Sequence, residues 1–280
     1  MNQRAQRDQR GQRDASVTLD TVIHAKSASI LQERSACLAT ESEAINASGA
    51  PSELRHLAFI IDGNRRWAKA HNLPAVMGHR NGYENAKKLI SYIAKYGVKY
   101  ITFYVFSIEN WKRSAEEVAF LMNLVRELFC ASSGFFRKNS ARLVAIGNLE
   151  NLPEDIHKDI SGLEEETKAN DGITVMLAIS YSGRDEILRA AKKIAKDAEL
   201  KKIDVDALTE DDFSNYLDTK GVPYPDAIVR TSEKRISNFL VWQCAYSEIF
   251  FVDKLWPDFT EDDLKDVIDE FSKRKRRYGK

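Results

Sequence analysis

Where apolar runs of this sequence end, the same kinds of residue recur: a carboxylate, glycines and paired cations. The first such place is HLAFIIDGNRRWAK, in which a hydrophobic run stops at Asp62-Gly63-Asn64 and turns straight into Arg65-Arg66-Trp67. A carboxylate can hold a divalent ion, a glycine lets backbone approach a ligand closely, and guanidinium groups grip phosphate oxygens in pairs. Together they suggest a phosphate–metal site at the carboxyl end of a buried strand, where α/β sheets collect their ligands. Asp-Gly is also a common turn pair, so the tripeptide alone leaves a plain turn open.

Three further clusters have the same character. Gly78-His79-Arg80 with Gly82 stands just before a helical pattern, where free N–H groups and the helix dipole favour an anion; by itself it also reads as a surface loop. Phe106-Ser107-Ile108-Glu109-Asn110-Trp111-Lys112-Arg113 follows a second strong strand, and a helix-entry loop would explain Trp111 but not the Ser-x-Glu-Asn group before it. Ile228 through Phe239 carries Arg230 and Arg235 on either side of a hydroxyl-rich turn, a composition suited to a bidentate grip on a diphosphate. Glu248 opens the last strand, beyond Trp242 and Tyr246. Charge runs are commonly just solvated faces, but several of them closing apolar strands strain that explanation. No GxxxxGK[ST], HExxH or GxSxG is present, and position 60 is Ile60 rather than the acid an aspartyl-phosphate phosphatase needs. What remains is an enzyme of diphosphate substrates, held by arginines and a divalent ion beside apolar surface.

The elements that must position these groups alternate. Strand patterns rich in Ile, Val, Phe and Tyr run over 57–62, 100–107, 141–147, 173–180, 226–231 and 248–253. Several are almost continuously apolar, as parallel strands covered on both faces are. Helical patterns cover 81–96, 115–136, 182–200 and 262–277. The expectation is a single α/β domain over 51–280, with a central, mostly parallel six-stranded sheet flanked by helices. Residues 1–50 are Arg/Gln-rich at their start and lack periodicity, which predicts a disordered or weakly helical arm. A transit peptide is disfavoured there by Asp8, Asp14 and Asp20, and a misassigned start is a further alternative. Of 280 residues, 43% are hydrophobic, enough for a real core, and the formal net charge of +0 gives no global attraction for nucleic acid or an anionic membrane. Three scattered cysteines indicate neither a disulfide framework nor a zinc site and fit a reducing, cytoplasmic compartment. No uncharged apolar run approaches the ~20 residues of a spanning helix.

The motifs HLAFIIDGNRRWAK, GHRNG, FYVFSIENWKR, IVRTSEKRISNFLVWQ and LWPDF…KRRYG, in that order, resemble the cis-prenyltransferases, above all the bacterial undecaprenyl diphosphate synthases. The resemblance runs from about His56 to the C-terminus. It implies the cis-prenyltransferase fold with an apolar tunnel, and Mg²⁺-dependent successive cis-condensation of isopentenyl diphosphate onto an allylic diphosphate such as farnesyl diphosphate. Carried over residue by residue, it makes Asp62 an essential Mg²⁺ ligand, with Glu248 as a second. Gly63, Asn64, Arg66 and His79 would hold the allylic diphosphate, with Arg65 and Trp67 beside them. Ser107, Ile108, Glu109, Trp111 and Arg113 would belong to a mobile loop over the reacting ends, and Asn110 falls on the family's proposed proton acceptor. A neutral amide is a poor base, so positioning a water or diphosphate oxygen suits Asn110 better. Arg230, Arg235, Ile236 and Ser237 would bind isopentenyl diphosphate. The stripe of the 115–136 helix, with Val105 and Ile146, is the candidate tunnel lining, although core packing accounts for each of these residues equally well. Arg277-Tyr278-Gly279 resembles an element that reaches the partner subunit's site, implying a homodimer; the rival reading of this basic tail is a nucleic-acid or anionic-lipid tail. The product would bring a cytoplasmic protein into peripheral contact with the inner face of the membrane.

Compared with the family's usual pattern, the segment from Arg230 to Arg235 is one residue short and lacks a glycine. Lys234 replaces a frequent metal-binding histidine, Ala75 a frequent diphosphate-binding arginine, and Ser180 a frequent asparagine, while Arg65 stands where glycine is usual. Reduced diphosphate affinity with retained activity is the expectation; the competing class, which the family also contains, is a non-catalytic polyprenyl-binding partner subunit, and the retention of Asp62, His79, Asn110, Arg230 and Arg235 speaks against it. Tyr83 and Val105 are larger than the small residues expected near a tunnel, which leaves a product shorter than undecaprenyl open.

Overall fold

A computed structural model describes residues 54–274, the side chains of 130–133 excepted. The arm expected over 1–50 and the tail Arg277-Tyr278-Gly279 both lie outside these residues. Within them, β1 (His56–Ile60), β2 (Tyr100–Ser107), β3 (Arg142–Ile146), β4 (Thr174–Tyr181), β5 (Ala227–Thr231) and β6 (Glu248–Val252) form one sheet in the order β3-β4-β2-β1-β5-β6. Every pairing is parallel, so the sheet is more uniform than the mostly parallel one expected. The chain steps from β1 to β2 on one side and returns to place β5 on the other. The crevice at the carboxyl ends of β1, β2 and β5 is therefore the switch point at which ligands bind in such sheets.

Alternation along the strands divides the core. Leu57, Phe59, Ile101, Phe103, Val175 and Leu177 pack on one face and Ala58, Ile60, Tyr104, Met176, Ala178 and Ile228 on the other. Helices α1 (Asn64–Ala70), α2 (Ala75–Lys95), α3 (Ala115–Lys138), α4 (Glu154–Thr167), α5 (Gly183–Glu199), α6 (Glu210–Ser214) and α7 (Glu261–Lys273) complete the domain. The helix expected over 81–96 begins at Ala75, capped by Pro74, so the Gly78-His79-Arg80 cluster lies inside α2 rather than before it. The glycines that look like loop residues serve packing. A Cβ on Gly78 would come within 1.9 Å of Asn64 O, and one on Gly82 within 2.3 Å of Asn64 Oδ1. Only hydrogen at these positions lets α2 lie against the start of α1.

Helix α3 is long and apolar enough, by length and composition, to cross a membrane. Its Leu121, Met122, Val125, Phe129 and Phe136 are instead buried in the core. On β2 the register with β4 shifts on both sides of Phe106. Such a bulge re-aims side chains next to a site, and Val105 turns toward the crevice.

Candidate active site

The carboxyl ends of β1, β2 and β5 open into a cleft of ≈ 1180 Å³. Its lining brings together Asp62, Gly63, Asn64, Arg65, Arg66, His79, Ser107, Glu109, Asn110, Arg113, Arg230, Arg235 and Ser237, four sequence clusters in one place. Gly63 takes φ +105, a left-handed conformation that side chains resist, and this turns β1 directly into α1. Asp62 is held by three donors at the mouth of that turn. Its Oδ1 accepts from Gly63 N–H at 2.7 Å and lies 3.5 Å from Arg66 Nη2, and its Oδ2 accepts from Arg230 Nη2 at 2.8 Å. Arg230, on a fully buried strand, also donates to Ser237 Oγ at 2.7 Å and to Arg235 O. Burial pushes its guanidinium pKa down and Asp62 opposes that shift.

The shortened segment after Arg230 closes by a local device. Ser232 takes φ +71, and Glu233 N–H donates to Thr231 O at 2.9 Å, which makes a γ-turn of the rare positive-φ kind. Ser232 N–H is tied to Val252 O at 2.9 Å. The turn offers its acceptors to Arg66, whose Nη1 reaches Ser232 O and whose Nη2 bonds Ser232 Oγ. Glu233 then bridges two arginines, Arg66 at 2.9 Å and Arg235 at 2.7 Å. The missing glycine is thus replaced by a serine forced into a glycine-like conformation, and further left-handed residues, Ser237, Asn238 and Leu240, follow it. Ser180 is similar: at φ +48 it occupies a conformation that asparagine tolerates better than serine.

Several polar atoms in the cleft are buried without a protein partner: Asn64 Oδ1, His79 Nε2 and Arg230 Nε. Buried polar groups in folded proteins are rarely left unpaired, so such a set points to a ligand. Burial, reinforced by Arg113 and Arg65, lowers the pKa of His79 to about 4, so its imidazole is neutral near pH 7. Asn110 Oδ1 accepts Ser107 N–H at 3.1 Å. That backbone group can only donate, which fixes the amide orientation and leaves the Asn110 NH₂ available. In this arrangement Asn110 is a donor, not a proton acceptor.

Five expected site residues are not brought to the cleft. Trp67 donates to Asp258 at 2.6 Å and stacks on His71. Trp111 donates to Ser180 Oγ at 3.0 Å with Phe106 edge-on to it, which anchors the short helical turn Ile108–Lys112 rather than covering the reacting ends. Ile108 lies outside the lining, and Ile236 packs against the second core cluster. Glu248 is a clear correction. It pairs in register with Ala227, at the amino end of the strands and the opposite end of the sheet from Asp62, and its carboxylate is taken by Arg274 at 2.6 Å. Within one protomer it cannot share an ion with Asp62. Lys69, Asn72, Tyr104 and Asn238 also line the cleft and went unrecognised in the sequence. Asn238 links Glu109 at 3.3 Å to Arg184 N–H at 3.0 Å, but nothing around it in the sequence separates it from an ordinary turn asparagine.

Among the described residues no three His, Cys, Asp or Glu side chains group to hold a metal. Asp62 fits Mg²⁺ in the one way a single carboxylate can, by sharing the ion with substrate phosphates and water. Behind the cleft, Ile61, Asn64, His79, Val105 and Leu121 also border an apolar cavity of ≈ 90 Å³, closed by Tyr83, Phe103, Leu124, Val125, Leu128, Phe135 and Phe136. The α3 stripe therefore lines this cavity in part, whereas Ile146 packs on the other face of the sheet.

A cationic wall with hydrocarbon directly behind it suits one kind of molecule, an anionic head on an apolar tail, and so defines an enzyme of lipid diphosphates. The chain belongs to the family described as "Putative undecaprenyl diphosphate synthase", whose profile matches residues 60–279. It is 44% identical over 228 residues to an isoprenyl transferase of Treponema denticola, covering 81% of this chain and 98% of that one. It is 40% identical over 242 residues to the ditrans,polycis-undecaprenyl-diphosphate synthase ((2E,6E)-farnesyl-diphosphate specific) of Micrococcus luteus, covering 86% and 96%. Among solved structures, lavandulyl diphosphate synthase from Lavandula x intermedia, in complex with dimethylallyl diphosphate, superposes with a TM-score of 0.78 at 36% identity, covering 81% and 98%. The protein is accordingly a cis-prenyltransferase.

Proposed function

We propose that the chain condenses isopentenyl diphosphate, repeatedly and in cis, onto an allylic diphosphate such as farnesyl diphosphate, giving a long polyprenyl diphosphate of the undecaprenyl type. The observation that carries this is Asp62, standing between Arg66 and Arg230 at the mouth of a cleft that opens into an apolar cavity. Asn64, Arg65, Arg66 and His79 take the allylic diphosphate, and Arg230, Arg235 and Ser237 take isopentenyl diphosphate. Asp62 would hold Mg²⁺ together with substrate oxygens, and the bound ion would supply neutralisation of the charge that develops on the leaving group. The arginines act in the same sense, preorganised where charge grows and buried enough for it to count. Asn110 orients a diphosphate oxygen or water with its NH₂, so the proton lost on chain extension passes to one of those oxygens. The cavity receives the hydrocarbon and keeps water from the reacting carbons. A homodimer in which Arg277-Tyr278-Gly279 reaches the partner site, and a cytoplasmic location with peripheral membrane contact, belong to the same reading.

Replacing Asp62 by Ala should abolish Mg²⁺-dependent incorporation of labelled isopentenyl diphosphate, and undiminished incorporation would overturn the assignment. A shorter product is the second reading, favoured because Tyr83 and Val105 help close a cavity far smaller than the roughly 300–1,000 Å³ of ordinary ligand pockets. Chromatography of the products separates the two.

A further inference from the structure

Two groups that the proposed reaction needs in register stand on different walls of the cleft. Ser237 belongs to the segment after β5, and Asn110 to the short helical turn after β2. Their chain neighbours meet across the gap. Asn238 follows Ser237, Glu109 precedes Asn110, and Asn238 Nδ2 donates to Glu109 Oε1 at 3.3 Å.

Asn238 is itself fixed from behind. Its Oδ1 accepts from Arg184 N–H at 3.0 Å, its backbone carbonyl accepts from Gly183 N–H at 2.8 Å, and its Nδ2 also donates to Ser182 Oγ. The N–H of Arg184 can only donate, which settles the amide orientation and turns Nδ2 toward Glu109. These partners all lie at the start of α5, which sits so close that a Cβ on Gly183 would come within 3.0 Å of Asn238 O. Asn238 takes φ +61, beside Ser237 at +46 and near Leu240 at +44. Left-handed residues cluster where the surrounding structure over-determines a functional geometry. Asparagine tolerates that conformation and carries both an acceptor and two donor hydrogens, and all of these are used here.

We propose that Asn238 is a positioning residue of the condensation. It ties Ser237 and the Glu109-Asn110 turn to the start of α5, so that isopentenyl diphosphate and the Asn110 NH₂ keep a fixed separation; this rests on the function proposed above. Keeping its own loop folded would require the contacts with α5 but not the one that crosses to Glu109, so the test is aimed at that bond.

Asn238→Asp keeps the acceptor for Arg184 N–H, lets the Ser182 hydroxyl donate instead of accept, and sets a carboxylate against Glu109 in place of a donor. With labelled substrate, kcat/KM for isopentenyl diphosphate should fall about fivefold or more, while KM for the allylic diphosphate changes less than about twofold. Asn238→Asp/Glu109→Gln restores the bond with the roles exchanged, an amide at 109 donating to a carboxylate at 238, and should recover most of the loss; Glu109→Gln alone completes the cycle. Hydrogen exchange of the full chain without substrate reads the tie directly: residues 107–113 should exchange faster in Asn238→Asp and return toward wild type in the double variant. Unchanged kinetics and exchange in Asn238→Asp would overturn the proposal. So would a double variant no better than Asn238→Asp, or an equal rise of both KM values with a lowered Tm, the mark of a purely structural role. Absence of isopentenyl diphosphate incorporation by wild type would instead overturn the function proposed above, and the exchange of 107–113 does not depend on it, so the two failures are distinguishable.

Discussion

Asp62→Ala is expected to weaken the fold as well as the chemistry, because Asp62 is the one carboxylate among the described residues that pairs with Arg230. The Arg230 side chain is only 3% exposed, and its other partners, Ser237 Oγ and Arg235 O, are uncharged. Stranding a fully buried charge costs about 3–5 kcal/mol. Asp62 itself is 35% exposed, so water can replace part of what it supplies. Gly63 N–H also loses its acceptor, worth about 1 kcal/mol. The balance is a loss of about 2–3 kcal/mol, which for a domain of this size lowers Tm by about 5–10 °C. Thermal unfolding followed by circular dichroism in EDTA, without substrate, isolates this term from metal and ligand binding. Adding Arg230→Met to Asp62→Ala should recover much of the loss, as a double-mutant cycle. If Asp62→Ala melts within a degree or so of wild type under these conditions, the ion pair does not hold the empty site together, and the reasoning fails.

Other expectations follow from the same contacts. Ser232→Gly keeps the turn and relieves about 1 kcal/mol of left-handed strain, and it removes a hydroxyl that competes with the diphosphate for Arg66. Tm should hold or rise while KM for the allylic substrate falls and kcat changes little; a fall in Tm, or a rise in KM, contradicts this. Gly78→Ala should cost about 1–3 kcal/mol by overpacking and displace α1, so that diphosphate affinity in titration calorimetry falls together with the urea midpoint. Acid should destabilise the protein through His56 and His79. Burial holds both pKa values near 4, against 6.5 for the ordinary side chain. Both are therefore neutral when folded, and the unfolded chain takes up their protons first. Their stabilising contribution is intact above about pH 7 and drains away as pH falls toward 4, by at most about 3 kcal/mol each. A urea midpoint unchanged between pH 7 and pH 5 would count against it.

The alternation of apolar strands with helical stripes carried the sheet, because buried parallel strands leave a near-continuous signal. The site was legible for a related reason: its residues end those strands, so Asp62, Ser107 and Arg230 announce themselves by where hydrophobicity stops. Contact by tertiary packing left no such mark. Gly78 and Gly82 read as loop glycines because nothing local indicates that Asn64 presses on them. Trp111 looked like a lid because its partner, Ser180, is remote in sequence. Glu248 carried the right chemistry at the wrong end of the sheet, and only strand register reveals which end a residue occupies. Helix α1 was invisible for a different reason: it is a single short segment, started by a left-handed glycine instead of a side-chain cap.

The missing glycine after Ser232 has a clearer meaning in the structure than in the sequence. A loop one residue shorter could have pulled Arg230 and Arg235 apart. Instead the γ-turn at Ser232 absorbs the shortfall, and Arg230 Nη1 still reaches Arg235 O. The cost falls on Arg66, whose Nη atoms are engaged by Ser232, Glu233 and Asp62. Those contacts are half-exposed on the arginine side, and exposed ion pairs are worth roughly 0–1 kcal/mol each. A diphosphate, with more charge and several acceptor oxygens, can therefore displace them, at the expense of part of its own binding energy. The departure weakens substrate capture without removing any group that stabilises the developing charge, which is why a chain lacking this glycine, and the arginine at position 75, is still expected to turn over.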